Sequence, residues 1–139
     1  MKETIDITDL SDLQRFAKRF AGMVQAGDLV FLRGDLGAGK TTFTQMLLKA
    51  AGVTDPVKSP TYTLYETYVT TDLAFVHMDL YRLSDPEELY FLGLEDLVDG
   101  RHILLVEWPD KGRGVLQPPD WVLELTMTGA NRTLTLTSK

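Results

Sequence analysis

The chain has 139 residues, 44% of them hydrophobic, which suffices for one domain with a substantial core and is too short for two such domains. Its 14 Lys and Arg against 20 Asp and Glu give a formal charge of −6, which disfavours tight, direct binding to a nucleic-acid backbone. Because there is no cysteine, no apolar run near the roughly 18 residues of a membrane span and no signal-peptide core, we expect a cytoplasmic protein without membrane contact, folded as one domain over residues 1–139.

The first 27 residues predict a short strand followed by an amphipathic helix. Residues 4–7 alternate apolar and polar side chains, as a half-buried strand does. Asp9 or Ser11 offers an N-cap to the helix, and Gly27 is expected to end it. The apolar residues of this helix recur at intervals of three and four positions: Leu13, Phe16, Phe20 and Met23.

Residues 34–41 have the spacing G-x-x-x-x-G-K-T of a phosphate-binding loop, and they lie between a predicted strand at 28–33 and a predicted helix at 41–51. The glycines allow backbone N–H groups to turn inward toward phosphate oxygens. Lys40 would supply a cation to the outer phosphates, and the Thr41 hydroxyl could join the coordination of Mg²⁺. The sequence therefore predicts a nucleoside triphosphate site. The alternative is a glycine turn that binds nothing, and the flanking strand and helix argue against it.

The segment that follows predicts a β-hairpin. Residues 59–69 are rich in Thr and Tyr and have no helical period, and a turn at 70–72 leads into the apolar run 73–78. The hydroxyl-rich stretch 59–63 lies where switch segments of nucleotide hydrolases sense the terminal phosphate, so a switch role is one interpretation. An ordinary turn held by Ser and Thr hydrogen bonds is the other.

The remaining elements predict the fold class. Short helices are expected at 84–93 and 94–98, a buried strand at 103–106, and a hairpin at 121–128 and 132–137 that adds antiparallel strands. This order indicates an α/β fold, a P-loop NTPase-like three-layer sandwich in which a mixed central sheet has helices on both faces and a C-terminal antiparallel hairpin. The ligand should bind at the carboxyl ends of the parallel strands.

Two carboxylates follow hydrophobic strands and should therefore reach that same edge of the sheet. Asp79 comes after the run 73–78, and Glu107 comes after 103–106. Either could bind Mg²⁺ directly or through water, while the other polarises the attacking water or the substrate. Acidic strand ends that are merely solvated are the alternative.

Several nearby side chains allow two interpretations. His77 lies within an apolar strand and is expected to be a core residue or to support a neighbouring functional group, because no other His or Cys is placed to form a metal site with it. Trp108 could stack on a base or a partner protein, or pack at the rim of the site. Four tyrosines of the central region are expected chiefly to pack on the sheet, although the first of them lies in the segment expected to face the phosphates: Tyr62, Tyr65, Tyr68 and Tyr81.

Four segments together are more specific than the phosphate-binding loop alone: residues 34–42, 58–64 (K-S-P-T-Y-T-L), 79–89 (D-L-Y-R-L, then D-P-E-E-L) and 105–116 (L-V-E-W-P, then G-V-L). In this combination and order they closely resemble the bacterial TsaE (YjeE) family, and the resemblance extends over residues 5–137. The loop is common to many nucleotide hydrolases, whereas the other three segments in combination are specific to this family.

The resemblance implies an ATPase that is weak alone and is required for threonylcarbamoyladenosine in tRNAs reading codons that begin with A. It implies TsaD and TsaB as partners, with tRNA contacted indirectly through them, and ATP and Mg²⁺ as cofactors. By position, Thr41 and Glu107 match the metal ligands, Asp79 matches a second functional acid, and the catalytic set becomes Lys40, Asp79 and Glu107. The matched nucleotide contacts are the loop residues Gly37, Ala38, Gly39, Lys40, Thr41 and Thr42, with weaker contacts at Leu10 and Arg132.

Two other functions are compatible with the loop itself. A small-molecule kinase uses the same type of loop, but it also needs a substrate pocket and usually a lid, for which 139 residues leave little length. A nucleotide-dependent interaction module without hydrolysis would need only the binding site.

Overall fold

A computed structural model describes residues 1–35, 37–57, 60 and 64–139. In this part of the chain seven strands form one sheet: β1 Lys2–Asp6, β2 Leu29–Arg33, β3 Tyr65–Val69, β4 Ala74–Asp79, β5 His102–Glu107, β6 Trp121–Thr128 and β7 Asn131–Ser138. The helices are α1 Leu10–Ala21, α2 Lys40–Ala51, α3 Glu88–Phe91 and α4 Leu94–Leu97, and a short 3-10 helix covers Pro109–Gly112. None of these described helices has the length and apolar character needed to cross a lipid bilayer.

The strand order is β1-β7-β6-β2-β5-β4-β3. The four central strands β6, β2, β5 and β4 run parallel, whereas β3 is antiparallel to β4 and β7 is antiparallel to both β1 and β6. The predicted C-terminal hairpin is therefore present. The expectation that both of its strands are antiparallel additions was wrong, because β6 extends the parallel part of the sheet beside β2.

Hydrophobic cores on both faces of the sheet place helices on both sides, as the sequence predicts. On one face α1 and α2 pack through a cluster of aromatic rings whose centroids lie 5.9 to 6.3 Å apart, formed by Phe16, Phe20 and Phe43. On the other face the two short helices bury Leu89, Leu94 and Leu97. The result is a three-layer arrangement around a mixed sheet.

Element boundaries differ from the sequence-based prediction at three places. Helix α1 ends at Ala21, where the Gly22 N–H donates to the Arg19 carbonyl oxygen, rather than continuing to Gly27. The helix expected at 84–93 is reduced to α3, because the chain before it forms a turn in which the Asp85 carboxylate accepts the Glu87 N–H. The first strand of the central hairpin begins only at Tyr65.

The parallel register brings three strand ends to one edge of the sheet. Leu32 of β2 is paired with Glu107 of β5, and Glu107 is paired with Asp79 of β4. The loop between β2 and α2 leaves the sheet at this same edge. The fold thus assembles the predicted phosphate-binding loop and both predicted carboxylates at the carboxyl ends of neighbouring parallel strands.

Candidate nucleotide-binding site

The loop between β2 and α2 has the backbone that its glycines predict. Gly37 has φ 83° and Gly39 has φ 108°, both in the left-handed region that side chains with a Cβ rarely adopt. Gly39 is the N-cap of α2 and has no side chain that could cap the helix. The positive end of the α2 dipole is therefore left for an anion. Leu36 of this loop lies outside the described residues.

A cleft of about 620 Å³ opens over this loop. Most of the predicted nucleotide contacts line it, and it is bounded by Gly37, Gly39, Lys40, Thr41, Thr42, Pro60, Leu64, Asp79, Tyr81, Arg82, Glu107, Trp108 and Arg132. Ala38 is buried and lines the adjacent cavity of about 490 Å³. Leu10 is the first residue of α1, is 59% exposed and lines neither cavity, so its nucleotide contact stays a prediction.

The ammonium group of Lys40 is buried beside a carboxylate. The residue is only 5% exposed, and its Nζ lies 4.0 Å from Oε1 of Glu107. Among the described residues, Nζ has no hydrogen-bond partner. Burial lowers the pKa of Lys40, while the nearby carboxylates of Glu107, Asp79 and Asp35 oppose this shift. A buried cation without a hydrogen bond is costly unless an anion binds to it.

Glu107 is also buried, and a histidine holds its second oxygen. Oε2 of Glu107 lies 2.6 Å from Nε2 of His77, which is fully buried. His77 and Glu107 belong to neighbouring strands on the same face of the sheet, which also carries Phe75 and Leu105. His77 is thus a core residue, as one interpretation of the sequence had it, and its ring contacts the Glu107 carboxylate; a supporting role for a functional group stays a prediction.

Asp79 is held in place by backbone contacts on both sides. Its N–H donates to the Leu64 carbonyl oxygen at 2.9 Å, and its Oδ1 accepts the Tyr81 N–H at 3.0 Å. Burial raises the pKa of Asp79. The Tyr81 hydrogen bond lowers it again, and the Glu107 carboxylate raises it further. A carboxylate with a raised pKa is suited to accept a proton from water.

Trp108 closes the cleft in an uncommon backbone conformation. It has φ 56°, and it is the one residue other than glycine with a positive φ in the described chain. Its ring lies 4.0 Å from Nζ of Lys40 and 5.1 Å from the ring of Tyr81. In the next turn, Asp110 accepts hydrogen bonds from Nη1 of Arg33 at 2.8 and 3.0 Å, which ties this segment to β2. The ring is thus in place to contact a bound nucleotide.

The sequence-based prediction missed two residues of the cleft. Tyr81 was expected to pack on the sheet, but it is 47% exposed and lines the cleft against Trp108. Arg82 also lines the cleft. The available signal was their position directly after the strand that ends in Asp79. Of the predicted switch segment 59–63, only Pro60 is described, and the other four residues lie outside the described part.

The order of the central strands, the glycine loop before α2 and the two adjoining carboxylates define the class: the chain has the fold of P-loop NTPase-like α/β proteins. A family model described as "Threonylcarbamoyl adenosine biosynthesis protein TsaE" matches residues 7–134, so the chain belongs to the TsaE family.

Individual relatives agree with this assignment. The tRNA threonylcarbamoyladenosine biosynthesis protein TsaE of Haemophilus influenzae is 44% identical over 124 residues, which covers 86% of this chain and 78% of that protein. The protein of the same name from Aquifex aeolicus is 36% identical over 134 residues, covering 95% and 92%. The crystal structure of Bacillus subtilis YdiB superposes with a TM-score of 0.79 at 30% identity, covering 99% of this chain and 86% of that one.

Proposed function

We propose that this protein is an ATPase, weakly active alone and stimulated by TsaD and TsaB, and that it is required for threonylcarbamoyladenosine formation in tRNAs reading codons that begin with A. It acts in the cytoplasm and reaches tRNA through those partners. The observation that supports ATP binding most directly is Lys40. Its buried ammonium, which has no hydrogen-bond partner among the described residues, lies at the start of α2 in a cleft lined by glycines of the loop.

The nucleotide is bound by charge and by backbone geometry. Lys40 offers a cation that already lies near Glu107 and gains a much stronger partner in a triphosphate. The left-handed glycines keep Cβ atoms away from the phosphates. Arg132 lines the cleft beside the loop, with its Nη1 3.8 Å from the point where a Cβ on Gly39 would be. A second cation is therefore available to the phosphates.

The donor set fits Mg²⁺ bound together with a nucleotide. Mg²⁺ takes oxygen ligands and often has only one or two from protein, the rest coming from phosphates and water. Thr41 and Glu107 would supply those protein oxygens, and both line the cleft. When bound, the ion neutralises charge on the outer phosphates.

Asp79 then has the role of orienting water. It is paired in register with Glu107, and burial raises its pKa, so that it can accept a proton more readily than a solvated carboxylate. The net charge of −6 leaves tRNA binding to the partner proteins. The relatives are tRNA threonylcarbamoyladenosine biosynthesis proteins, which supports this pathway for the present chain.

The proposal is tested by phosphate release from ATP and Mg²⁺, measured with and without TsaD and TsaB, together with threonylcarbamoyladenosine formation on tRNA. We expect slow release alone and clear stimulation by the partners. Phosphate transferred to an added metabolite would instead indicate a kinase, and ATP binding without any turnover would indicate an interaction module.

A Glu107→Ala variant sharpens this test. Because Glu107 is assigned to Mg²⁺, its loss should reduce the Mg²⁺ dependence of turnover more than the affinity for ATP measured in EDTA. If the variant kept the turnover and metal response of the wild type, the assignment of Glu107 as a metal ligand would be wrong.

A further inference from the structure

We propose that His77 is a positioning residue: it donates a hydrogen bond to one oxygen of Glu107 and thereby turns the other oxygen toward the nucleotide cleft. This inference rests on the proposed function, because it assigns His77 a role toward the Mg²⁺ and ATP that Glu107 and Lys40 are proposed to bind. His77 itself does not line the cleft.

The geometry separates the two oxygens of Glu107. Oε2 lies 2.6 Å from Nε2 of His77, on the side of the sheet interior, and Oε1 lies 4.0 Å from Nζ of Lys40, on the side of the phosphate-binding loop. The sheet register fixes this arrangement. His77 pairs with Leu105, so that Glu107, two positions further along β5, is its diagonal neighbour on the same face.

The hydrogen bond has a defined direction. A carboxylate only accepts hydrogen bonds, so Nε2 of His77 must be the donor. The other ring nitrogen, Nδ1, is buried and has no partner among the described residues. A proton on Nδ1 would be a buried donor without an acceptor among the described residues, whereas a proton on Nε2 is donated to Glu107. The hydrogen bond therefore runs from Nε2 of His77 to Oε2 of Glu107.

Simple packing does not account for a histidine here. The neighbouring positions on this face of β4 and β5 are filled by Phe75 and Leu105, and an apolar side chain at position 77 would avoid the cost of burying imidazole. What the imidazole adds is a fixed donor. Carboxylates that bind metals are commonly held by such donors, and removing the donor weakens the metal site.

The test measures ATP binding by calorimetry, in Mg²⁺ and in EDTA, for the wild type and three variants. His77→Leu removes the donor and keeps an apolar side chain. His77→Gln restores an N–H donor near the position of Nε2. His102→Gln is the matched control, since that histidine begins β5 at the far edge of the sheet and lies 26% exposed beside Asp99. Thermal unfolding of each variant confirms that it is folded.

In His77→Leu, the increase in ATP affinity that Mg²⁺ produces should be about 10- to 100-fold smaller than in the wild type. The ATP affinity measured in EDTA should change much less. His77→Gln should recover most of that loss, and His102→Gln should match the wild type. Equal losses in the Leu and Gln variants, or an unchanged Mg²⁺ effect in the Leu variant, would overturn the role of His77 alone. A wild type that binds no ATP in either condition would overturn the proposed function, and the inference with it.

Discussion

Strand β5 has a histidine–carboxylate pair at each of its ends, and the two pairs differ in burial. At the carboxyl end, His77 and Glu107 are 2.6 Å apart with side chains 0% and 5% exposed. At the amino end, His102 and Asp99 are 3.0 Å apart with side chains 26% and 31% exposed. The residue types are nearly the same, but only the first pair lies beside the phosphate-binding loop.

The exposed pair has a structural role. Asp99 accepts hydrogen bonds from the side chain of His102 and from the backbone N–H groups of Arg101 and His102, which close the turn that starts β5. These bonds hold the pKa of Asp99 well below its usual range. At the other end, burial raises the pKa of Asp79. Withdrawal from water, more than the pairing of residue types, distinguishes the two ends of β5.

The largest effect should come from Asp79→Asn. This change keeps an oxygen that can accept the Tyr81 N–H but removes the group proposed to take a proton from water. We expect ATP still to bind, while hydrolysis in the complex with TsaD and TsaB falls by about 10²- to 10⁴-fold. Phosphate release and calorimetry on the same sample separate the two effects. An unchanged rate in the complex would remove Asp79 from the catalytic set.

Lys40→Ala should weaken ATP binding by about 10- to 100-fold, the value of a hydrogen bond to a charged group. Calorimetry with ATP and Mg²⁺ measures the loss. Lys40→Met is the companion variant, because it keeps the buried stem and removes only the charge. Because Lys40→Met leaves the buried Glu107 carboxylate without the cation at 4.0 Å, thermal unfolding of the nucleotide-free variant is measured beside binding to show that it is folded. Wild-type affinity in both variants would contradict the phosphate role.

The pH dependence of stability gives a smaller effect with a definite sign. Because the folded state raises the pKa of Asp79 above 3.8, ionisation of this group lowers stability as the pH rises from 3.8 through the folded-state value. The free energy of unfolding of Asp79→Asn should therefore rise above that of the wild type toward neutral pH. The difference should be about 1 kcal/mol or less, because the carboxyl is partly exposed. Urea unfolding from acid to neutral pH measures the difference, and a gain confined to the most acidic samples would contradict the assignment.

Asp99→Asn should change stability with the opposite dependence on pH and should leave nucleotide binding unchanged. The lowered pKa of Asp99 contributes stability that is present above 3.8 and is lost as the pH falls through the folded-state pKa. The variant should therefore be less stable than the wild type at neutral pH and converge with it in acid. ATP binding and partner-stimulated hydrolysis should be unchanged. A loss of hydrolysis in this variant would show that the two ends of β5 are coupled.

Much of the candidate site was predictable because its signals are local. The spacing of residues 34–41 predicts the left-handed glycines and the start of α2. An acidic residue directly after an apolar strand lies at the edge of the sheet where that strand ends. Tyr81 and Arg82 were missed because residues beyond a strand end have no periodic pattern that tells whether they face a cleft or the core. The sequence also predicted the TsaE resemblance and the α/β fold class, and both are confirmed.

The sequence by itself determined that a glycine loop, a lysine and two strand-ending carboxylates are present, since each depends on residues close along the chain. Only the tertiary structure decided that β6 lies parallel beside β2, that Glu107 stands between Asp79 and the loop strand, and that His77 holds Glu107. These facts depend on strand order and register. Both are set by packing between residues far apart in the chain, and alternation along a single strand carries no information about which partner it will pair with.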